Sequence, residues 1–166
     1  HGGLLFSAYD LVQLYKLETK MIAATATMSG AEIRRLSRAA EFAGQTSGVA
    51  AGHVQCNIVI LPRDTADHFE QFCALNPKPC PLLAISPEPG NYRLPGLGED
   101  IDIRRDVPLY RIWRDGLMKE QCHDIMHLWQ QDWVAFALGC SFSFEEALIK
   151  SGIEVRNISE RCNVPM

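Results

Sequence analysis

Three prolines at alternate positions, Pro77, Pro79 and Pro81, constrain this chain more than any other feature. Proline fixes φ, removes a backbone donor and disfavours helix at the residue before it. The stretch Asn76-Pro77-Lys78-Pro79-Cys80-Pro81 therefore runs extended, and it separates two different patterns. Before it, Ala66, Phe69, Phe72, Cys73 and Leu75 recur at helical spacing after Asp64, a candidate cap. After it, Leu82-Leu83-Ala84-Ile85 is short, apolar and partly β-branched, as a buried strand requires.

The same reading extends outward. Ser29 and Glu32 have capping-box spacing ahead of Ile33, Leu36, Ala39 and Ala40, which predicts a helix. Gly44 to Gly52 is a glycine-spaced loop, and His53 to Leu61 reads as a strand ended by Pro62. Residues 86–100, rich in Gly and Pro, form a surface loop. Val107 to Arg114 reads as a strand leading into a hairpin turn at Arg114-Asp115-Gly116. Asp124 to Gln131 has the composition of a short helix. Asp132 to Leu138 is an apolar run whose type periodicity leaves open. Phe144 to Lys150 is helical, ended by Gly152, and Glu154 to Ile158 reads as a final strand. Helices alternating with strands predict an α/β fold of the mixed α+β kind, a mixed sheet flanked by helices.

Composition narrows the function classes. The chain has 166 residues, enough for one domain with a core of its own, and a net charge of -4, which opposes a general nucleic-acid binder. No run is long and apolar enough to span a bilayer. The six cysteines show no C-x-x-C and no dense framework, so reduced thiols and a cytoplasmic setting are expected, or a mitochondrial matrix in a eukaryote. Residues 1–27 lack the order of a secretory signal and read as an extension without functional weight; Met21 and Met28 are both plausible starts. Residues 28–166 form the expected domain.

Chemistry concentrates in Gly139-Cys140-Ser141-Phe142-Ser143-Phe144-Glu145-Glu146. Ser143 and Glu146 have capping-box spacing, so the preceding backbone N–H groups face an anion-favouring helix start. A thiol there, Cys140, can have a lowered pKa. The plainer reading is equally consistent: Ser143 caps, Cys140 packs, and Glu145 or Glu146 complements the dipole. The Gly44–Gly52 loop, with His53, Gln55 and Asn57 after it, can line a pocket but matches neither the dinucleotide fingerprint nor the P-loop. His123 and His127 are four apart, yet neither an intervening Glu in H-E-x-x-H order nor a spaced third ligand accompanies them, so no metal is expected. Arg104, Arg105 and Arg111 can grip a carboxylate, although solvation is the commoner fate of such residues.

Three strings together resemble the D-glutamate cyclase family, many of whose bacterial members carry the label hydro-lyase. They are Gly48-Val49-Ala50-Ala51-Gly52-His53-Val54-Gln55-Cys56-Asn57 with Ile58 to Pro62; Asn76 to Leu83; and Val134 to Leu148. The closing Asn163-Val164-Pro165-Met166 is similar as well. Family members continue past that string, so the chain reads as the N-terminal portion of a longer protein, in which two lobes are conceivable.

The resemblance implies that D-glutamate loses water to become 5-oxo-D-proline, with no redox cofactor. A base must free the amine, an acid must protonate the departing oxygen, and donors must meet the carbonyl oxygen. It points to Cys140, Ser141, Ser143, Glu145 and Glu146 for the chemistry, and to Gly139, Asn57, Gln55, His53 and Arg111 for holding substrate. The expected partner is a small amino acid or dicarboxylate, without nucleic acid or membrane, and a homo-oligomer is compatible with it. The competing readings are a non-catalytic module for a small carboxylate, and a purely structural domain.

Overall fold

The Ser29–Glu32 capping box forms as its spacing predicts. In the computed structural model, which describes residues 27–160, the Glu32 carboxylate accepts from the Ser29 N–H at 2.8 Å while the Ser29 hydroxyl accepts from the Glu32 N–H at 3.3 Å. Helix α1 then spans Gly30–Arg38. Strand β1 is Cys56–Pro62, and helix α2, Arg63–Leu75, follows without a loop. Pro62 itself occupies the N-cap, so Asp64 falls in the first turn, where its charge complements the exposed N–H groups.

Beyond the proline-rich segment, β2 is Leu82–Ile85, as read from sequence. The apolar run of unsettled type is a strand: β5, Trp133–Gly139. It lies between β1 and β2 and pairs antiparallel with both. Cys56 faces Gly139 at one end of the β1–β5 ladder and Pro62 faces Trp133 at the other. A central strand is buried on both faces, which explains its unbroken apolarity. Ala135 and Ala137 pack with Leu94, Ile101 and Ile103, whereas Val134 and Phe136 pack with Ala66 of α2. Phe69 of α2 meets Phe136 edge to face, with ring centroids 5.1 Å apart.

Between β2 and β5 the chain makes an excursion containing β3, Tyr110–Arg114, and β4, Leu117–Cys122, which form a separate antiparallel pair. Asp115 and Gly116 join them with φ of 53° and 72°, the positive pair of a type I′ hairpin. The excursion is tied to α1 by charge. Arg38 grips the buried Asp106 carboxylate through Nε and Nη2, the second contact at 2.8 Å, and Arg34 pairs with Asp100. The Tyr110 hydroxyl, donating to the Ile103 carbonyl at 2.6 Å, closes the base of the excursion.

The α/β class is as expected, but both sheets are antiparallel rather than mixed. Residues 124–131 form turns instead of a helix, with the Ile125 N–H held by the Arg104 carbonyl at 2.8 Å. His123 and His127 therefore share no helical face. Residues 154–158 are not a strand: a short helix, α4, occupies Arg156–Ser159, and the Arg156–Glu160 ion pair four residues apart supports it. The helix expected over Phe144 to Lys150 forms as α3, Glu145–Lys150, preceded by a 3₁₀ turn, Ser141–Phe144. Gly152 follows at φ 74°, and the Ile153 N–H reaches back to the Leu148 carbonyl at 2.9 Å, a glycine-dependent helix stop. Among the described residues no helix is long and apolar enough to cross a membrane. Residues 1–26, Cys162 and the closing Asn163 to Met166 string lie outside the described residues.

Candidate functional site

The chain leaves β5 at Gly139, and there the three sequence strings converge. The Gly139 N–H donates to the Pro81 carbonyl at 2.8 Å, and the Cys140 N–H donates to the Gln55 carbonyl at 3.2 Å. The proline-rich string and the glycine-loop string thus flank the turn from opposite sides. Glycine suits the crossing: a Cβ at position 139 would stand 3.2 Å from Cγ of Pro81 and 3.5 Å from Cδ1 of Leu83.

Ser143 does not cap α3. Its hydroxyl accepts from the Gln55 N–H at 2.9 Å and donates to the Gln55 carbonyl at 3.2 Å. The helix instead begins at Glu145, behind Phe144, with no side-chain cap. The expectation of a donor-rich anion cradle also changes. The N–H groups of Gly139, Cys140 and Ser143 are each taken by a protein carbonyl, so they are not available to a ligand. The six-residue α3 is in any case too short for a large dipole.

The most informative side chain is Glu145. It is 7% exposed, and Ser47 of the glycine loop donates to its Oε2 at 2.9 Å. Carboxylates are rarely buried without donors. Gln55 adds to the same junction: its Nε2 donates to the Val49 carbonyl at 3.2 Å, while its buried Oε1 has no partner among the described residues. Loop, strand end and turn are therefore cross-linked by Ser47–Glu145, Gln55–Val49 and Ser143–Gln55.

The other expected residues distribute unevenly. Cys140 is partly buried and lies near enough to Cys56 to influence it: burial first, then the Cys140 sulfur, push the Cys56 thiol above its ordinary range. Ser141 is exposed in the 3₁₀ turn, and Glu146 lies in the first turn of α3. Asn57 is exposed on β1, opposite Leu138. His53 is turned elsewhere: its Nδ1 is 3.2 Å from the Ala50 carbonyl, and its ring stands at a cavity of about 250 Å³ lined by Thr27, Met28, Ser29 and Ala51. Arg111 is exposed in the separate β3–β4 sheet opposite Gln121, and so is not among the residues hydrogen-bonded around the turn. Arg104 is engaged by Asp102 at 2.8 Å and lies 3.6 Å over the Tyr92 ring. Among the described residues no group of three His, Cys, Asp or Glu side chains is placed to hold a metal.

Ser47, one of the polar loop residues that can line a pocket, has a partner that sequence reading did not anticipate. Nothing local marks the pairing, because Glu145 lies 98 positions away.

The fold and this junction define an α/β protein with a buried carboxylate, a hydroxyl and a thiol at one end of an antiparallel sheet, residue types able to exchange protons. Residues 134–166 match the family model described as D-glutamate cyclase. A relative from Bordetella petrii, named "Putative hydro-lyase", is 56% identical over 130 residues, covering 78% of this chain and 49% of the relative. A second from Bordetella pertussis, similarly named, is 54% identical over 138 residues, 83% of this chain and 50% of the relative. A third from Gluconacetobacter diazotrophicus is 54% identical over 138 residues, 83% of this chain and 49% of the relative. The chain belongs to the D-glutamate cyclase family, and it spans about half the length of the curated relatives it matches.

Proposed function

We propose that the intact protein is a carbon–oxygen lyase that cyclises D-glutamate to 5-oxo-D-proline with release of water. The observation that carries this reading is the buried Glu145 carboxylate, held by Ser47, inside the stretch that matches the cyclase model. In the reaction the substrate nitrogen bonds to the γ-carboxyl carbon, and one carbon–oxygen bond of that carboxyl breaks. The two protons the ammonium loses leave with the oxygen as water. One group that accepts a proton from nitrogen and returns it to oxygen serves both halves of the exchange.

Glu145 is the group for that transfer. It lies just beyond the turn and is bonded to the glycine loop through Ser47, in a setting largely closed to water, where a carboxylate's interactions are strengthened. Cys140, adjacent to the same turn, is a second reactive group, although the balance of atoms needs no covalent intermediate. Gln55 supplies a polar side chain at the junction and Asn57 another on the adjacent β1 face. Ser143 belongs to the scaffold, since both hydrogen bonds of its hydroxyl go to backbone atoms of Gln55.

The test is direct. The intact protein is incubated with D-glutamate and with L-glutamate, and 5-oxoproline is followed by proton NMR. Formation from the D isomer, lowered at least a hundredfold in Glu145→Gln with the fold intact by circular dichroism, is the expected result. Saturable D-glutamate binding by calorimetry without any product would replace the enzyme reading with a binding module.

A further inference from the structure

Ser47 occupies a corner that the backbone holds rigidly. The Val49 N–H donates to the Thr46 carbonyl at 3.0 Å, closing a four-residue turn, and Gly48 at its third position has φ 71°. That is the type II arrangement, which favours glycine at this position. The far side of the turn is anchored in the core: Val49 and Ala50, each 7% exposed, pack with Ile33 and Phe42. Gln55 Nε2 fastens the Val49 carbonyl from below. The Ser47 hydroxyl is thus carried on a fixed platform, and from it reaches Glu145 Oε2 at 2.9 Å.

A carboxylate that relays a proton must be aimed as well as buried. Misplacing a reacting group by about 1 Å can cost about a hundredfold in rate. Resting on the cyclase reading of the site, we infer that Ser47 is a positioning residue for the reaction: from the glycine loop it fixes the orientation of the Glu145 carboxylate through Oε2. It touches no substrate and transfers no proton. The glycine spacing of the loop acquires a purpose from this, because the type II corner is what presents the hydroxyl.

The test compares wild-type, Ser47→Ala and Ser47→Thr in the intact protein by two independent readouts. The first is the carbon-13 resonance of the Glu145 carboxyl, assigned by its disappearance in Glu145→Gln. The second is steady-state kinetics on D-glutamate. Ser47→Ala should move the resonance and lower kcat by about tenfold to a hundredfold, the usual effect of losing a hydrogen bond to a charged group. KM should stay within about twofold, since an aiming role acts on the chemical step rather than on binding. Ser47→Thr, which keeps the hydroxyl, should restore both. An unmoved resonance in Ser47→Ala overturns the inference whatever the activity. A moved resonance with unchanged kcat overturns it too, leaving a hydrogen bond that serves only stability. If the wild-type protein makes no 5-oxoproline, the cyclase reading falls, and the resonance alone then decides whether Ser47 holds Glu145.

Discussion

Ser143 stands in for a strand neighbour of Gln55. One hydroxyl accepts from the Gln55 N–H at 2.9 Å and donates to the Gln55 carbonyl at 3.2 Å. Just beyond the last paired positions, Cys56 and Gly139, the Gln55 N–H would otherwise face solvent, while its carbonyl also receives the Cys140 N–H at 3.2 Å. A side chain thereby extends the ladder by one residue and ties the turn to the strand.

Ser143→Ala removes both hydrogen bonds at an exposed position. The expected loss is about 1–2 kcal/mol, from the net value of two ordinary hydrogen bonds. Urea unfolding reads the loss, and native-state hydrogen exchange locates it. The Gln55 amide should exchange faster; unchanged protection there would mean that the ladder holds without the hydroxyl.

Asp106 is the centre of the charge network that fastens the excursion to α1. Its side chain is 2% exposed, with Arg38 in bidentate contact and Nε of Arg34 at 3.8 Å. Asp106→Ala leaves Arg34 and Arg38 with only the half-exposed Asp100 as counter-charge, and should cost up to about 3 kcal/mol, as when one partner of a buried pair is removed. Chemical denaturation checks this, and a change below about 1 kcal/mol would show that solvent takes over the role of the carboxylate.

Stability should fall on the acid side. The Arg34 hydrogen bond, opposed by burial, holds the Asp100 carboxyl below its ordinary range. For Asp102, burial works upward but is outweighed by the Arg104 hydrogen bonds, and the net direction is again down. Carboxyls lowered by folding contribute stability that is complete above their unfolded pKa, near 4, and lost as pH falls through the folded value. The urea midpoint should therefore be flat near neutrality and decline below about pH 4. Asp102→Asn should make that decline shallower.

Cys73 is 2% exposed, and burial is the chief cause pushing its thiol above the ordinary range. Both effects slow thiolate chemistry. In a disulfide-exchange assay near neutral pH, Cys73 should react only at the rate of unfolding, whereas the partly buried Cys140 reacts in the folded protein. Mass spectrometry of the labelled peptides tells the two apart.

Gly48→Ala separates backbone strain from packing. A Cβ at this position meets nothing within 4 Å, yet φ is 71°. The cost should be about 1–2 kcal/mol, that of an L residue in the left-handed region. A variant as stable as the wild type would show that the turn can relax to another form.

The proline-rich segment, β2 and the Ser29 cap were readable because each is decided by neighbours in sequence. Asp115-Gly116 was readable for the same reason, although β4, Leu117–Cys122, was not recognised as a strand: Lys119, Glu120 and Gln121 have little strand preference and pair only because the turn returns them to β3. The 154–158 segment misled through its β-branched residues: a four-residue helix closes locally there instead. Ser143 misled for a different reason. Its spacing to Glu146 satisfies the capping pattern, but the Gln55 backbone, 88 positions away, claims the hydroxyl. The site was legible as three strings in order; their hydrogen bonds to one another were not, since each joins residues far apart in sequence.

The hairpin of β3 and β4 enters after β2 and returns before β5 without altering how those strands pair. Its tip, Asp115-Gly116, is therefore a natural attachment point. A fluorophore or short peptide tag inserted there would report on the folded protein while leaving the register of β5, and with it the meeting of Pro81, Gln55 and Ser47 around the turn, undisturbed.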